Sequence, residues 1–309
     1  MRFNAVVILL AAVALPVRGQ VQTGDVAKRG LTPADFPRAK LLAPGIYSYE
    51  ALRGGDPGGQ MTTVSLIVIT SDGVLVADGQ GNVTQTKEMV DWIAKTTTQP
   101  IKYVVVGSDH GDHTGGNAAF PATATFISHP TSKKVLEAAN SARIPSETVA
   151  DRRSITVGGT EVQILFLGRA HTGGDLSVYV PKEKVLFMSE SYLHRIFPAM
   201  RSAYPSEWVE AVKKAEAMDA TWYIPGHGFV DDAKTLKAEL PVYRHAMERV
   251  IAESKRLHDA GVTCGRPTCD AAAQGNWGDL AEWTLYKGQL EIAIRRIYDE
   301  IDHKLPAAN

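Results

Sequence analysis

The stretch Ser108-Asp109-His110-Gly111-Asp112-His113-Thr114-Gly115-Gly116-Asn117 directly follows the β-branched run Val104-Val105-Val106-Gly107 and decides how the whole chain is read. Between positions 109 and 113 it sets two imidazoles and two carboxylates. A strand that stops in such a loop holds nitrogen and oxygen donors close together, the combination a borderline-soft divalent metal such as zinc prefers. Open α/β sheets keep their ligands at the carboxyl ends of strands, where this loop hangs.

Three further loops have the same character. Gly168-Arg169-Ala170-His171-Thr172-Gly173-Gly174-Asp175 follows an apolar run ending at Leu167, and Pro225-Gly226-His227-Gly228 follows one ending at Ile224. Ser189-Glu190-Ser191 follows a run ending at Met188 and adds a carboxylate. Alone, each is a turn or a solvated loop; together, four strand ends offer His110, Asp112, His113, His171, Glu190 and His227. His129, His245, His258 and His303 belong to no such motif and are read as structure.

Around these loops the pattern is that of an α/β protein. Ile46 to Tyr49, Thr62 to Thr70 and Gly73 to Ala77 read as strands, the last two joined by the turn Ser71-Asp72-Gly73. Val83 to Lys95 carries a helical stripe behind a capping Asn82, and Lys102 to Val106 is a buried strand. Thr123 to Ser128 is a strand and Thr131 to Ala139 a helix. The second half repeats the style, with strands at Glu161 to Leu167, Leu176 to Val180, Lys184 to Met188 and Thr221 to Ile224, and a capped helix at Ser206 to Met218. Two halves of strands then helix imply two sheets packed face to face with helices outside. Asp232 to Leu257 and Gly278 to Ile301 read as helices covering one flank, with Ile292, Ile294, Ile297 and Tyr298 as their core stripe.

The chain has 309 residues, 44% of them apolar, with 33 Lys plus Arg against 34 Asp plus Glu. That balance argues for a small-molecule substrate and against nucleic acid or anionic lipid. Residues 1–19 match a signal peptide: Arg2, an apolar run from Ala5 to Pro16, then small residues at a cleavage site. The run is too short for a stable membrane anchor, so a periplasmic or secreted protein is expected. An N-terminal arm over 20–44, a main domain over 45–235 and a helical extension over 236–309 packed on that domain follow from the pattern. Cys264 and Cys269 sit in one Gly/Pro turn, which suits a disulfide in an exported chain, with reduced thiols as the alternative.

The run 108–113 resembles the His-x-His-x-Asp-His motif of the metallo-β-lactamase superfamily, and His171, Glu190 and Pro225-Gly226-His227-Gly228 resemble its later motifs in order and spacing. The resemblance covers most of residues 45 to 230 and implies a four-layer αββα sandwich with a binuclear zinc site on one sheet edge. It implies His110 and His171 on one metal, Asp112, His113 and His227 on the other, and Glu190 where many members carry a bridging aspartate. Ser108 stands where the first histidine is expected, so the first site is expected to be weak and the second tight, and Ser108→His to tighten the first. Should Glu190 point away, Ser189 or Ser191 would hold a water in its place. Asp109 is read as a solvated neighbour.

Neutral imidazoles and carboxylates suit zinc, with iron and manganese also compatible because no thiolate is present. Such a metal acidifies its water from about 15.7 towards about 7, supplying hydroxide without a protein nucleophile, and Asp112 is placed to orient it and relay its proton. The expected activity is a zinc-dependent hydrolase opening a cyclic amide or ester, with β-lactams the first substrates to try. A lactonase or esterase, for which the acidic Glu190 argues, and a metal-binding member without turnover are the alternatives. Tyr192, His194, Arg195 and Phe197 follow Glu190 and are expected to offer the substrate an aromatic surface and a cation.

Overall fold

A computed structural model describes residues 21–53 and 60–307; the expected signal peptide lies outside them. In chain order the elements are β1 (Arg38–Ala43), β2 (Ile46–Arg53), β3 (Met61–Thr70), β4 (Gly73–Ala77), α1 (Val83–Thr96), β5 (Ile101–Val105), α2 (Gly111–Thr114), β6 (Thr125–Ser128) and α3 (Pro130–Ala138). There follow β7 (Glu147–Thr148), β8 (Arg152–Val157), β9 (Thr160–Leu165), β10 (Ser177–Val180), β11 (Val185–Phe187), α4 (Pro205–Glu216) and β12 (Trp222–Ile224). The chain ends in α5 (Ala233–Asp259), α6 (Asp270–Gln274) and α7 (Tyr286–Ile301).

The strands form a seven-stranded sheet, β1-β2-β3-β4-β5-β6-β7, and a five-stranded sheet, β12-β11-β10-β9-β8. Period-two alternation divides the first sheet's apolar side chains between its faces. Leu66 and Val68 of β3 and Leu75 and Ala77 of β4 join Val162, Ile164, Val178 and Leu186 of the second sheet in the inner core. Ile67, Val74, Val76 and Val104 turn the other way, onto Met89 and Ile93 of α1. Trp208 of α4, Leu240 and Met247 of α5 and Ile294 of α7 close the far side. The result is the αββα sandwich with added C-terminal helices.

Helix α1 begins as expected, the Asn82 side chain accepting from the Gln85 N–H. Helix α4 differs: it has no cap of its own, and the Glu300 carboxylate of α7 accepts from the Ser206 N–H at 3.0 Å. The expected arm is in part a strand, since β1 pairs antiparallel with β2 from Arg38 onward. Alternating charge in Arg38-Ala39-Lys40 hides that edge strand from an apolar count. Cys264 and Cys269 are joined in a disulfide.

The N-terminal strands clamp the loop after β12. Lys40 Nζ donates to the Val230 carbonyl at 2.7 Å, and the buried Glu50 carboxylate accepts from the Val230 N–H at 2.7 Å. Arg29 and Asp231 pair at 2.8 Å with side chains only 3% and 6% exposed. Asp231→Ala leaves that guanidinium buried and unpaired, so it is expected to lower stability by about 3–5 kcal/mol. Urea denaturation measures this, and a loss below about 1 kcal/mol would show the pair to be dispensable.

Candidate metal centre

Each functional loop leaves a buried strand at its carboxyl end, so burying the strands fixes where the loops begin. His110 and His113 follow β5, His171 follows β9, Glu190 follows β11 and His227 follows β12. Asp175 shapes the His171 loop by accepting from the Thr172 N–H at 2.6 Å and its hydroxyl at 2.9 Å. Gly226 lets the last loop lie against the first turn after β11, because a Cβ there would stand 2.4 Å from the Ser189 carbonyl carbon. Gly228 adopts φ 89°, which only glycine takes without strain.

Two clusters of donor atoms result. In one, His113 Nε2 and His227 Nε2 lie 3.1 Å apart, with Asp112 Oδ2 3.2 Å from His227 Nε2. In the other, His110 Nδ1 and His171 Nε2 lie 3.1 Å apart. The Glu190 carboxylate reaches both: Oε2 is 2.8 Å from His110 Nδ1, and Oε1 is 3.3 Å from His171 Nε2 and 3.2 Å from His227 Nε2. Asp112, His113, Glu190 and His227 thus form one potential metal-holding group, and His110, His171 and Glu190 another.

The residues fit zinc on geometry and on lone-pair accounting. Ligands about 2.0–2.1 Å from a tetrahedral ion stand about 3.3 Å from one another, close to these separations. His227 Nδ1 faces the Thr62 carbonyl at 2.8 Å and His113 Nδ1 faces Asp78 Oδ2 at 2.9 Å. Those acceptors draw each ring's proton outward and leave two Nε2 lone pairs facing each other beside a carboxylate, an arrangement that requires positive charge between them. The proton affinities express the same demand. Burial works against protonation of His110 and His227, but Glu190 lifts the first to about 9, and Asp112 with Glu190 lifts the second to about 10. His171, whose burial dominates, falls to about 3. A divalent cation meets the need of the carboxylates without those protons.

Ser108 is the main departure from expectation. It is fully buried, and its hydroxyl donates to Glu190 Oε2 at 2.5 Å, orienting the carboxylate between the clusters. An imidazole at 108 would give up the hydroxyl's bond that aims Glu190, so Ser108→His alone is not expected to tighten the first site. Glu190 points inward, and Ser189 instead bonds the Asp78 carboxylate at 2.5 Å. Asp109 is half-buried rather than solvated; burial raises its proton affinity, against a hydrogen bond from Ser132.

The expected substrate contacts at Tyr192, His194 and Arg195 are corrected by the geometry. Tyr192 and His194 are fully buried, with His194 Nδ1 2.8 Å from the Phe229 carbonyl, and Arg195 is held by Glu239 at 2.8 Å. The loop packs into the core beneath the site, Leu193 pairing with His227 and Phe197 donating to the Thr284 carbonyl at 2.8 Å. A cavity of about 380 Å³ opens over the clusters instead, walled by Arg53, Met61, Ile196, Arg201, Leu285 and Gln289. Arg53 Nε lies 3.0 Å from Asp112 Oδ2.

Asp78 went unread in the sequence. Buried at the end of β4 with φ 63°, it faces His113 and accepts from the Gly107 N–H at 2.6 Å. Its one signal is an acidic residue closing a fully apolar strand, which in Ala77-Asp78-Gly79 is masked by the resemblance to an ordinary turn. His129 is structural, its Nδ1 accepting from the Thr131 N–H at the start of α3.

Histidines and carboxylates converging from the ends of several strands, at the floor of one cavity between two sheets, define a metal-dependent hydrolase. Residues 58–227, more than half the chain, match the metallo-beta-lactamase superfamily, and the chain belongs to it. That family uses zinc. The metallo-beta-lactamase type 2 of Bacteroides fragilis is 21% identical over 210 residues, 66% of this chain and 84% of that protein. The 2,4-dinitroanisole O-demethylase subunit alpha of a Nocardioides strain is 23% identical over 134 residues, 42% of this chain and only 41% of that protein. A solved metallo-beta-lactamase from Pontibacter korlensis superposes with a TM-score of 0.63 at 20% identity, covering 69% of this chain and 99% of its own. Another from Hirschia baltica gives 0.59 at 20% identity, covering 67% and 97%. Among the described residues no helix is long and apolar enough to cross a membrane.

Proposed function

We propose that this chain is an exported zinc hydrolase that opens a cyclic amide or ester, with β-lactams the first class to test. The observation that carries the reading is the convergence of His110, His171, Glu190, Asp112 and His227 at the floor of a cavity sized for a small molecule, with His113 buried against them. Zinc held by these residues would supply Lewis acidity and acidify a coordinated water towards about pH 7. Burial and Glu190 push Asp112 up, but its contacts with His227 and His113 hold it below the usual carboxylate range, so it is ionised at neutral pH. Asp112 Oδ2 is therefore able to accept a proton beside the scissile bond and return it to the leaving group. Met61, Ile196 and Leu285 line an apolar wall that excludes bulk water from one side of the substrate.

Glu190 favours a second reading, lactonase or aryl esterase activity, because its carboxylate reaches both donor clusters as a bridging ligand would. The name of the Nocardioides relative adds an aryl ether to the classes worth testing. Initial rates of the zinc-loaded protein with nitrocefin, a panel of lactones, aryl esters and 2,4-dinitroanisole separate these readings. Turnover of nitrocefin alone supports the β-lactam preference, turnover confined to lactones or aryl esters overturns that preference in favour of the second reading, and turnover of 2,4-dinitroanisole alone overturns both.

A further inference from the structure

The site cavity has a neighbour. A second cavity, of about 500 Å³, is lined by Arg201, Arg266, Arg295, Arg296, Ile292 and Asp299, and it shares Arg201 with the first. Four guanidiniums thus meet in one concavity against the carboxylate of Asp299 and that of Glu291, which lies 3.1 Å from Arg295. Like charges so gathered repel, and besides the Glu291 carboxylate the fold holds two of them in place with uncharged groups. Arg296 Nε donates to the Ala203 carbonyl at 2.5 Å and its guanidinium lies 5.5 Å from the Tyr204 ring centre. Arg295 donates to the Gly265 carbonyl at 3.2 Å, and the Cys264–Cys269 disulfide closes the loop that carries Arg266. Among the described residues, no hydrogen bond or ion pair engages the Arg201 or Arg266 guanidinium.

Three of these arginines lie beyond residue 227, where the family match ends. The same C-terminal segment supplies Leu285 and Gln289 to the wall of the site cavity. One piece of chain therefore shapes both spaces, and Arg201 joins them.

We propose that the arginine-lined cavity is a substrate subsite. It holds an anionic group, a carboxylate or phosphate, at the end of an extended substrate remote from the bond that is cleaved. Guanidinium forks match the planar or tetrahedral oxygens of such groups, and four guanidiniums against the Asp299 and Glu291 carboxylates leave an excess of positive charge on this wall. The proposal rests on the hydrolase reading, and its test separates the two.

The first measurement gives the zinc-loaded protein two p-nitrophenyl esters: the acetate, which is neutral, and the hydrogen suberate, which ends in a carboxylate. In Arg201→Gln and Arg295→Gln, the kcat/KM ratio of the charged to the neutral ester is expected to fall at least tenfold, mainly through KM. A ratio that stays within twofold of the wild type overturns the proposal. The second measurement titrates the zinc-loaded protein with sulfate by calorimetry. Sulfate affinity is expected to fall at least tenfold in Arg266→Gln/Arg295→Gln, and equal affinity in both proteins overturns the subsite. If neither ester is cleaved, the hydrolase reading is at fault for esters, and the sulfate titration decides the subsite by itself.

Discussion

Glu190→Gln is expected to lower bound zinc by about one ion per chain, because the carboxylate would supply the third protein ligand of the His110 and His171 pair. Glutamine keeps the shape and loses the charge, so His110 and His171 are left as two neutral imidazoles. Losing even a group that only orients a ligand costs about 10–100-fold in metal affinity, and losing the ligand is expected to exceed that range. Elemental analysis after dialysis against a weak chelator measures the stoichiometry directly. Ser108→Ala, which removes the 2.5 Å hydrogen bond to Oε2 but leaves the carboxylate, is expected to cost about tenfold in affinity at the same pair. The double change Ser108→His with Glu190→Ser, which offers an imidazole and clears the space for it, is expected to recover binding that Glu190→Gln loses. Two zincs held as tightly in Glu190→Gln as in the native protein would remove Glu190 from the ligand set.

Asp112→Asn is expected to reduce kcat/KM on the order of 10³-fold while the His110 and His171 pair keeps its metal. The amide cannot take up a proton, and general acid–base catalysis contributes about 10²–10⁴-fold. The same change removes the carboxylate 3.2 Å from His227 Nε2 and 3.0 Å from Arg53 Nε, so metal at the second group is expected to weaken too. Rates measured at saturating zinc separate the two effects, since a pure binding defect is recovered by added metal and a proton-transfer defect is not. Activity within tenfold of the native protein under those conditions would place the proton transfer on another group.

Much of the site is legible in the sequence because metal chemistry restricts residue type. His110, Asp112, His113, His171 and His227 follow strand ends in glycine-bearing loops and Glu190 follows one in a serine-flanked turn, and two packed sheets have few ways to scatter such loops once their strands are buried. Asp78 is not legible in the sequence because its value lies in what it faces, the His113 ring and the Gly107 N–H, across elements far apart in the chain. The chemistry of Tyr192, His194 and Arg195 suits substrate contacts, yet the direction of a loop side chain is set by the path of the loop. Here the 192–197 segment is tied to His227 and Thr284, which turns Tyr192 and His194 into the core and Arg195 onto Glu239.

The sequence by itself determined the two-sheet α/β architecture, the superfamily and the donor types of the site, since hydrophobic period and ligand chemistry are local properties of the chain. The tertiary structure decided the meaning of the 108–113 loop's odd residue. Ser108 alone is an absent ligand, but folding brings it 2.5 Å from a carboxylate 82 positions away, and it becomes the group that aims Glu190 between the two donor clusters. Tertiary structure likewise gathered Arg201, Arg266, Arg295 and Arg296, because charge shared across a cavity wall leaves no periodicity or motif along the chain.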